Sequence, residues 1–314
     1  MRVPWSGTFL YVGIDHGNPT PGKVYTGRRI VARLSLADIS NVGAGTIHYD
    51  YAELTGSNGL NKTHFVQGAP GQMVVGSLDN NSVLRVFTWP DGSGTIPAPS
   101  TVGFSQINQT TYTAPAPDGV DWLAVSFPGN ITGAAYIFVP ANPGGGIFGP
   151  PTPEHHLYTF AFDAGQNGSA RPQAYVRLQT VEASGTNYTA SSEYDIWNAN
   201  YAYAMAALGS SGNELGITLA VGGGTIGYPQ QAVGFRNDFV VYQVTGSNAT
   251  QGARFGDYFS NRLVPSDTVR FGAEVYDVTL NPVPPGFSPT CAAVGCQTNM
   301  RYVEFQRPPF VGPR

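Results

Sequence analysis

Five acidic residues stand at the ends of short apolar segments, where a β-rich chain would present them to a ligand. They are Asp15, Asp79, Asp121, Glu214 and Asp257. Glycoside hydrolysis needs two carboxyl groups at a set separation across the scissile bond, so acids from separate strands can supply an acid and a nucleophile or base. Asp257 and Asp15 are the leading catalytic candidates, and the other three are candidate binding residues. The alternative for each acid is structural, because aspartates near strand ends commonly accept backbone N–H groups in turns.

The segments that would position these acids have the length and apolar character of strands. Inner-strand candidates are residues 9–15, 73–79, 121–127, 214–221 and 255–260, and the strands that follow them are of the type seen at 83–89 and 238–244. Within the last inner strand, Gly256 permits close backbone approach, while Asp257 and Tyr258 lie on opposite sides. Helical signal is poor: residues 198–208 allow one turn at most.

The composition favours an all-β fold, because 40 glycines and 25 prolines disfavour long helices and favour short strands joined by tight turns. We predict a single β-propeller domain over 1–314 with five four-stranded blades, six being the alternative. The blades cover about 7–56, 60–112, 118–182, 192–246 and 252–309. A pair of β-sandwiches is the rival architecture, but it does not explain why glycine-containing inner strands recur.

Five short motifs add a resemblance to a known group of proteins. They are Asp121-Trp122-Leu123, Ile196-Trp197-Asn198, Gly222-Gly223-Gly224-Thr225 with Tyr228-Pro229, Arg254-Phe255-Gly256-Asp257-Tyr258, and Arg301-Tyr302-Val303-Glu304-Phe305. Their order resembles that of secreted microbial sialidase-like β-propeller proteins, over roughly the last two-thirds of the chain. The resemblance implies a propeller fold and an exported location, and most members of that group have no assigned activity.

Sialidase chemistry would need arginines to hold the substrate carboxylate, together with a tyrosine nucleophile and its acidic partner. The available residues are Tyr258, Asp257, Arg254, Arg236 and Arg29. However, the chain has no Ser-x-Asp-x-Gly-x-x-Trp box of the kind that sialidase blades repeat, and the nearest segment, 89–95, is out of phase. The sequence therefore argues against a true sialidase.

The cysteines and histidines predict one crosslink and no metal centre. Cys291 and Cys296 lie five residues apart in a Pro- and Gly-bounded loop, which favours a local disulfide over two free thiols or a zinc site. In Glu154-His155-His156, adjacent residues of a strand would point to opposite faces, so we interpret the histidines as a loop pair. No metal and no cofactor are predicted.

Charge and sequons indicate an extracellular protein that does not bind nucleic acid. The net charge is −4 and the basic residues are scattered, so the electrostatic footprint of a nucleic-acid-binding protein is missing. No apolar run has the length of a membrane span. Sequons that favour glycosylation, or that arise by chance in a chain rich in Asn and Thr, occur at Asn61, Asn80, Asn108, Asn130, Asn167, Asn187 and Asn248.

These features lead to three functional hypotheses. The first is an extracellular, non-catalytic β-propeller that serves binding or assembly at the cell surface, with a glycan or a cell-surface protein as partner. Exposed Tyr and Trp rings would stack on sugar faces in such a protein. The second is a sialidase-like glycoside hydrolase that uses carboxylates of the axial funnel. The third is a structural subunit of an extracellular filament or lattice that assembles with itself.

Overall fold

The computed structural model describes residues 5–16, 28–41, 43, 45–55, 63–110, 112–124, 129–141, 152–238, 241–244, 246–250, 255, 259–264, 269–286 and 290–307. These residues form eighteen β-strands and two short helices, α1 (Leu36–Ser40) and α2 (Cys291–Val294). The predicted all-β class is confirmed. No helix in the described part of the chain is both long and apolar enough to cross a membrane.

The strands form five antiparallel sheets in which neighbours in the sequence are neighbours in the sheet. The first sheet contains β1 (Phe9–His16), β2 (Arg28–Ser35) and β3 (Tyr49–Thr55). The second contains β4 (Thr63–Phe65), β5 (Gln72–Leu78), β6 (Val83–Pro90) and β7 (Ser100–Gly103). The third contains β8 (Ile131–Val139), β9 (His155–Ala164), β10 (Tyr175–Ser184) and β11 (Asn187–Ile196).

The last two sheets follow the same meander. The fourth contains β12 (Ala202–Ser211), β13 (Glu214–Gly223), β14 (Gly227–Phe235) and β15 (Tyr242–Gln243), and the fifth contains β16 (Ser260–Leu263), β17 (Phe271–Leu280) and β18 (Cys296–Phe305). Among the described residues the first and fifth sheets have three strands, so the prediction of four strands in every sheet is confirmed only for the second, third and fourth sheets.

Two local predictions are also wrong. The segment predicted as a strand at 121–127 has only a bridge at Asp121 and a turn over 122–124 in its described part, because the Asp121 carboxylate accepts the N–H of Leu123 in its own turn and that of Ala114. The segment 198–208, where we allowed a helical turn, leads into strand β12. Its alanines are good helix formers, but here their small side chains are buried where β12 pairs with β13.

Glycines in the strands make room for aromatic rings from the neighbouring sheet. A Cβ atom on Gly13 of the first sheet would lie 2.5 Å from Cε2 of Phe65 in the second. Gly216 of the fourth sheet stands in the same relation to Phe271 of the fifth, with 2.7 Å to Cδ1. Because a Cβ at either position would force the ring to move, glycine at both positions permits this close packing between sheets.

The chain divides into two compact units. The first comprises Met1–Gln109, Gly129–Phe162 and Arg177–Tyr194, and the second comprises Thr110–Pro128, Asp163–Val176 and Asp195–Arg314. One core of the first unit joins the first two sheets through Tyr11, Val31, Phe65, Phe87 and Trp89. The prediction of one propeller domain with the blade boundaries given above stays a prediction.

The predicted disulfide between Cys291 and Cys296 is present. It links the start of α2 to the first residue of β18, and both cysteines pack against the core that contains Trp122 and Phe255. The crosslink therefore fixes the entry into the last strand. Disulfides persist in oxidising compartments, so this one fits an extracellular protein.

Candidate functional site

The residues first proposed for catalysis are only partly within the described structure. Arg254, Asp257 and Tyr258 lie outside the described residues. Asp15 is in β1, where its backbone is in register with Arg29 of β2, but its side chain is outside the described part. Arg29 donates from Nη1 to the carbonyl oxygen of Thr63 at 3.3 Å, which links β2 to the second sheet.

Asp79 forms an ion pair at the turn between β5 and β6. Its Oδ2 lies 2.5 Å from Nη2 of Arg85, and both side chains are largely buried. The Asp79 N–H also donates to the carbonyl oxygen of Val83 across the turn. These contacts tie the hairpin together.

Asp121 accepts two backbone hydrogen bonds through one oxygen. Its Oδ1 receives the N–H of Ala114 at 2.9 Å and that of Leu123 at 3.0 Å. The adjacent Trp122 is fully buried and lies against Gly222, whose Cβ position is 3.0 Å from Nε1 of the indole. Two of the motifs, which contain Trp122 and Gly222, therefore pack against each other in the hydrophobic core, where they have a structural role.

Glu214 opens β13 and is held by an arginine near the end of the chain. Nε of Arg307 lies 2.5 Å from its Oε2, and Nη1 of Arg307 also bonds Asp238 at 2.6 Å. Burial lowers the pKa of Arg236, whereas the nearby Glu214 raises it. Glu214 and Arg236 are therefore close enough to interact. The Glu214 and Asp238 carboxylates and the Arg236 carbonyl oxygen all bind Arg307, so these residues hold Arg307 in place.

The two histidines of the Glu154-His155-His156 motif begin strand β9, so the interpretation as a loop pair is wrong. Their side chains have different partners, as expected on opposite faces. Nδ1 of His155 lies 2.5 Å from Oε1 of Glu182, and Nδ1 of His156 lies 2.7 Å from the hydroxyl of Tyr136. Within the described residues, no group of three His, Cys, Asp or Glu side chains is arranged to hold a metal ion.

Six of the seven sequon asparagines are in the described part of the chain, and Asn61 is outside it. Four are exposed and two are half-buried. The exposed ones are Asn80, Asn167, Asn187 and Asn248, and the half-buried ones are Asn108 and Asn130. Glycosylation at these positions stays a prediction.

A surface that we call the aromatic surface lies on one face of the first sheet. It consists of Trp5, Tyr49 and Tyr51, which are 65%, 67% and 72% exposed. The register places Leu10 opposite Leu34, and Leu34 opposite Tyr49, so these side chains share a face. Trp5 forms a bridge with Leu10 at the other end of the same row. Rings thus stand at both ends of a row of half-buried leucines.

A second row on the same face lies two residues further along the strands. Val12 is in register with Ala32, and Ala32 with Tyr51. Val12 and Ala32 are half-buried, while Tyr51 is exposed. Because β3 is an edge strand, its two tyrosines have no strand beside them on the outer side among the described residues. The surface is therefore open to a partner along its edge.

An open cavity of about 320 Å³ lies at the end of the first sheet where β3 begins. Its lining combines rings and an aliphatic side chain with hydroxyl, imidazole and carboxylate groups, contributed by Phe9, Ser35, Ile47, His48, Tyr49 and Asp50. Tyr49 belongs to both the cavity and the aromatic surface. Apolar faces beside a few polar groups are the usual composition of a small-ligand site.

The segment between α1 and β3 is fixed by Asp38. Its Oδ2 accepts the backbone N–H of His48 at 2.8 Å and lies 2.7 Å from Nδ1 of the same residue. These two hydrogen bonds hold the pKa of the Asp38 carboxyl below its usual value, and the bond from the backbone N–H has the larger effect. Ser35 caps α1 by accepting the N–H of Asp38. The cavity wall formed by His48 is thus anchored to the helix.

A buried arginine, Arg33, contacts two residues that line the cavity, Phe9 and Asp50. The guanidinium of Arg33 lies 4.5 Å from the ring centres of both Phe9 and Trp89. It donates from Nε to Oδ2 of Asp50 at 2.9 Å, and from Nη1 to the carbonyl oxygens of Pro90 and Asp91. Every polar edge of this cation is therefore used within the fold.

Sequence reasoning named exposed rings as sugar-stacking groups but did not say which rings they were. A signal was present, since Tyr49-Asp50-Tyr51 alternates aromatic and polar residues as a half-exposed strand does. Arg33 was also missed, because its role depends on rings from β1 and β6. In comparisons with known proteins, the chain matches no protein-family model, and no curated protein sequence matches it at a significant level.

Proposed function

We propose that this protein is an extracellular, non-catalytic β-propeller of the sialidase-like kind that binds glycans through the aromatic surface and its adjoining cavity. The five antiparallel meander sheets, with glycine-to-ring packing between neighbours, support the propeller architecture. The disulfide supports the extracellular location.

One observation carries the proposed binding role. Trp5, Tyr49 and Tyr51 are each about two-thirds exposed and share one face of the first sheet. Burying a large apolar side chain stabilises a protein by about 1.5–3 kcal/mol relative to leaving it exposed. Three exposed rings on one face lack this stabilisation, and a partner that covers them would gain it as binding free energy. Clustered exposed rings of this kind mark interaction sites.

The polar groups beside the rings favour a sugar as the partner. A sugar offers C–H faces that pack on aromatic rings and hydroxyls that bond nearby polar groups. Ser35, His48 and Asp50 line the cavity next to Tyr49. The register places Asp50 on the opposite face of β3 from the rings of Tyr49 and Tyr51, so the cavity offers hydrogen-bonding groups at the end of the strand that carries these rings.

The glycoside hydrolase alternative receives less support. Of the acids proposed for it, Asp79 and Glu214 are ion-paired with Arg85 and Arg307, and Asp121 is bonded to backbone N–H groups. A carboxylate held in this way is already satisfied within the fold. Asp257 and Asp15 remain as the candidates for a test of this alternative.

The test is a glycan array followed by titration calorimetry of the strongest ligands. Replacing both Tyr49 and Tyr51 by alanine should weaken binding by about 10- to 100-fold, because truncating central aromatic contacts costs about 2 kcal/mol or more. Tyr242→Ala is the matched control, since Tyr242 is an exposed tyrosine of β15 outside this surface. Equal loss in the control, or no loss in the double variant, would contradict the proposal.

The same ligands test the hydrolase alternative. The wild-type protein and the Asp257→Asn and Asp15→Asn variants are incubated with each bound glycan, and new reducing ends are measured. We expect none from any of the three proteins. Turnover by the wild type that either substitution abolishes would establish the enzyme instead.

A further inference from the structure

We propose that the folded chain presents two of its sequons, those at Asn80 and Asn167, as acceptors for N-glycosylation, and that the other four described sequons are not acceptors. These two sequons lie on turns, and both asparagines are exposed. The inference does not rest on the proposed glycan-binding function, because it concerns sugars attached to the chain and not sugars bound by it.

N-glycosylation transfers a sugar to the side-chain amide nitrogen of asparagine, Nδ2. This nitrogen forms a bond to the anomeric carbon of an activated sugar, such as a nucleotide-linked or lipid-linked sugar diphosphate. The bond from that carbon to the phosphate oxygen breaks, its electron pair leaves with the phosphate, and one Nδ2 proton is released to solvent. A transferase must therefore reach Nδ2, and it must also recognise the hydroxyl two residues further on that defines the sequon.

Asn80 lies in the turn between β5 and β6, and its amide has a fixed orientation. Its Oδ1 accepts the backbone N–H of Ser82 at 2.8 Å and the Ser82 hydroxyl at 3.1 Å. A backbone N–H can only donate, so the amide atom that faces Ser82 is the oxygen. No described residue accepts a hydrogen bond from Nδ2. The nitrogen that would receive the sugar is therefore open to an enzyme.

The backbone of this turn is held by contacts that do not involve the sequon side chains. The carbonyl oxygen of Asn81 accepts the N–H of Ile107, and that of Ser82 accepts the N–H of Phe104, each at 2.9 Å. Substitutions of the Asn80 or Ser82 side chain leave both bonds in place. The sequon can therefore be removed without removing the turn.

Asn167 begins an exposed turn between β9 and β10. Its backbone N–H donates to the carbonyl oxygen of Arg171 at 2.7 Å, and its own carbonyl oxygen accepts the Arg171 N–H at 3.3 Å. Gly168, at φ 56°, and Ser169 follow, and both are exposed. Within the described part of the chain, the Asn167 side chain forms no hydrogen bond. The amide and the residue that carries the hydroxyl are thus both accessible.

Asn248 is also exposed, yet its sequon is held within the fold. Its Oδ1 accepts the N–H of Leu280 at 2.8 Å, and its backbone N–H donates to the carbonyl oxygen of Val278 at 3.1 Å. Thr250, which carries the sequon hydroxyl, is 2% exposed, and its N–H donates to Oδ2 of Asp118 at 3.2 Å. A transferase would have to detach this segment from β17 before it could reach the hydroxyl.

The other three described sequons are restricted by burial or by a strand. Asn108 is half-buried and interacts with another part of the fold. Asn130 is half-buried directly before β8, and the hydroxyl of its sequon, on Thr132, is buried within that strand. Asn187 is the first residue of β11, and the next residue, Tyr188, is 5% exposed. These segments cannot turn outward without breaking contacts of the fold.

The experiment incubates the purified full chain with a soluble N-glycosyltransferase that transfers one glucose from UDP-glucose to sequon asparagines. Peptide mapping by mass spectrometry gives the rate at each site, and each rate is divided by that of a synthetic peptide with the same sequon, which has no fold to restrict access. We expect ratios above about 0.1 at Asn80 and Asn167, and below about 0.01 at the other four sites, where the chain must first open locally.

Variants of the first sequon control the assignment. Asn80→Gln removes the acceptor, and Ser82→Ala removes the hydroxyl but keeps the backbone N–H that binds Oδ1. Each should abolish the added hexose at this turn and leave the modification of Asn167 unchanged, and thermal unfolding verifies that each variant is folded. Ser82→Thr keeps a hydroxyl and should keep the modification. If the enzyme modifies the serine peptide too slowly to measure, the Ser82→Thr chain and its peptide replace them.

The results distinguish presentation by a turn from simple exposure. An unmodified Asn80 in a folded chain whose peptide reacts would overturn the proposal. A ratio at Asn248 as high as that at Asn80 would also overturn it, because exposure of the asparagine would then be sufficient. High ratios at Asn80 and Asn167, together with low ratios at the other four sites, support it.

Discussion

The first and fourth sheets are built from similar antiparallel strands but differ in how much of each strand is buried. In β13 of the fourth sheet, every residue after Glu214 is buried. In β3 of the first sheet, Tyr49, Asp50, Tyr51 and Glu53 are exposed, and only Leu54 is fully buried. The difference arises because β13 is buried on both faces, whereas among the described residues β3 has one exposed face and is an edge strand.

This difference determines which residues each strand can use. A strand covered on both faces needs small and apolar side chains throughout, as in β13, where Gly216 receives the ring of Phe271. A strand with an open face needs apolar groups only on its core side. Its other side can present rings to a ligand, as Tyr49 and Tyr51 do. The face of β3 that is exposed among the described residues is thus the one suited to binding.

The largest expected difference concerns tryptophan. Trp89 is fully buried, whereas Trp5 is 65% exposed. Trp89→Ala should lower the free energy of unfolding by about 3–5 kcal/mol, because it leaves a cavity and uncovers Arg33. Trp5→Ala should change it by less than about 0.5 kcal/mol. Urea unfolding measures both. Comparable losses would mean that Trp5 is part of a core, and the aromatic surface would not be an open one.

A smaller difference is expected for the glycines that face rings. Gly216→Ala places a methyl group against Phe271, so we expect a loss of about 1–3 kcal/mol in the free energy of unfolding. Gly103→Ala in β7 is the matched control, since a Cβ there meets no atom within 4 Å. The same urea titration applies. If Gly216→Ala is no worse than the control, the close contact between the fourth and fifth sheets is not as described.

The smallest expected effect is the pH dependence that Asp38 contributes to the first sheet. Its pKa is below the usual 3.8 in the folded protein, so ionised Asp38 stabilises the fold. This contribution is complete above the unfolded pKa and is lost as the pH falls through the folded value. Asp38→Asn should therefore be slightly less stable than wild type at about pH 7, and the difference should shrink as the pH falls below 3.8. A difference that persists in acid would contradict this account.

The sequence predicted several of the strands correctly. The segments at 9–15, 73–79 and 214–221 fall in strands β1, β5 and β13, because short apolar runs bounded by turn residues have few other solutions. The errors have identifiable causes. At Asp121 a side chain competes with the ladder for backbone N–H groups. In β12 burial overrides the helix propensity of alanine. The pairing of β12 with β13 is also irregular between Ala204 and Ala207, and Met205, which lies in this interval, has a positive φ of 56°.

The candidate site was less accessible to sequence reasoning. Acids at strand ends looked chemically important, yet Asp79 and Glu214 find arginine partners. Arg85 is six residues from Asp79, but Arg307 is far from Glu214 in the sequence, so no local pattern indicates that pair. In the same way, nothing near Tyr49 in the sequence says that its ring is exposed.

The amino-acid sequence by itself determined the all-β class, the positions of strands β1, β5, β6 and β13 and the disulfide, because these depend on residue propensity, on the two-residue period of a strand and on short spacing. Only the tertiary structure decided which carboxylates are paired, that Arg33 is enclosed by Phe9 and Trp89, and that Tyr49 and Tyr51 are exposed. Pairing and exposure depend on contacts between residues distant in the chain, and local sequence does not encode them.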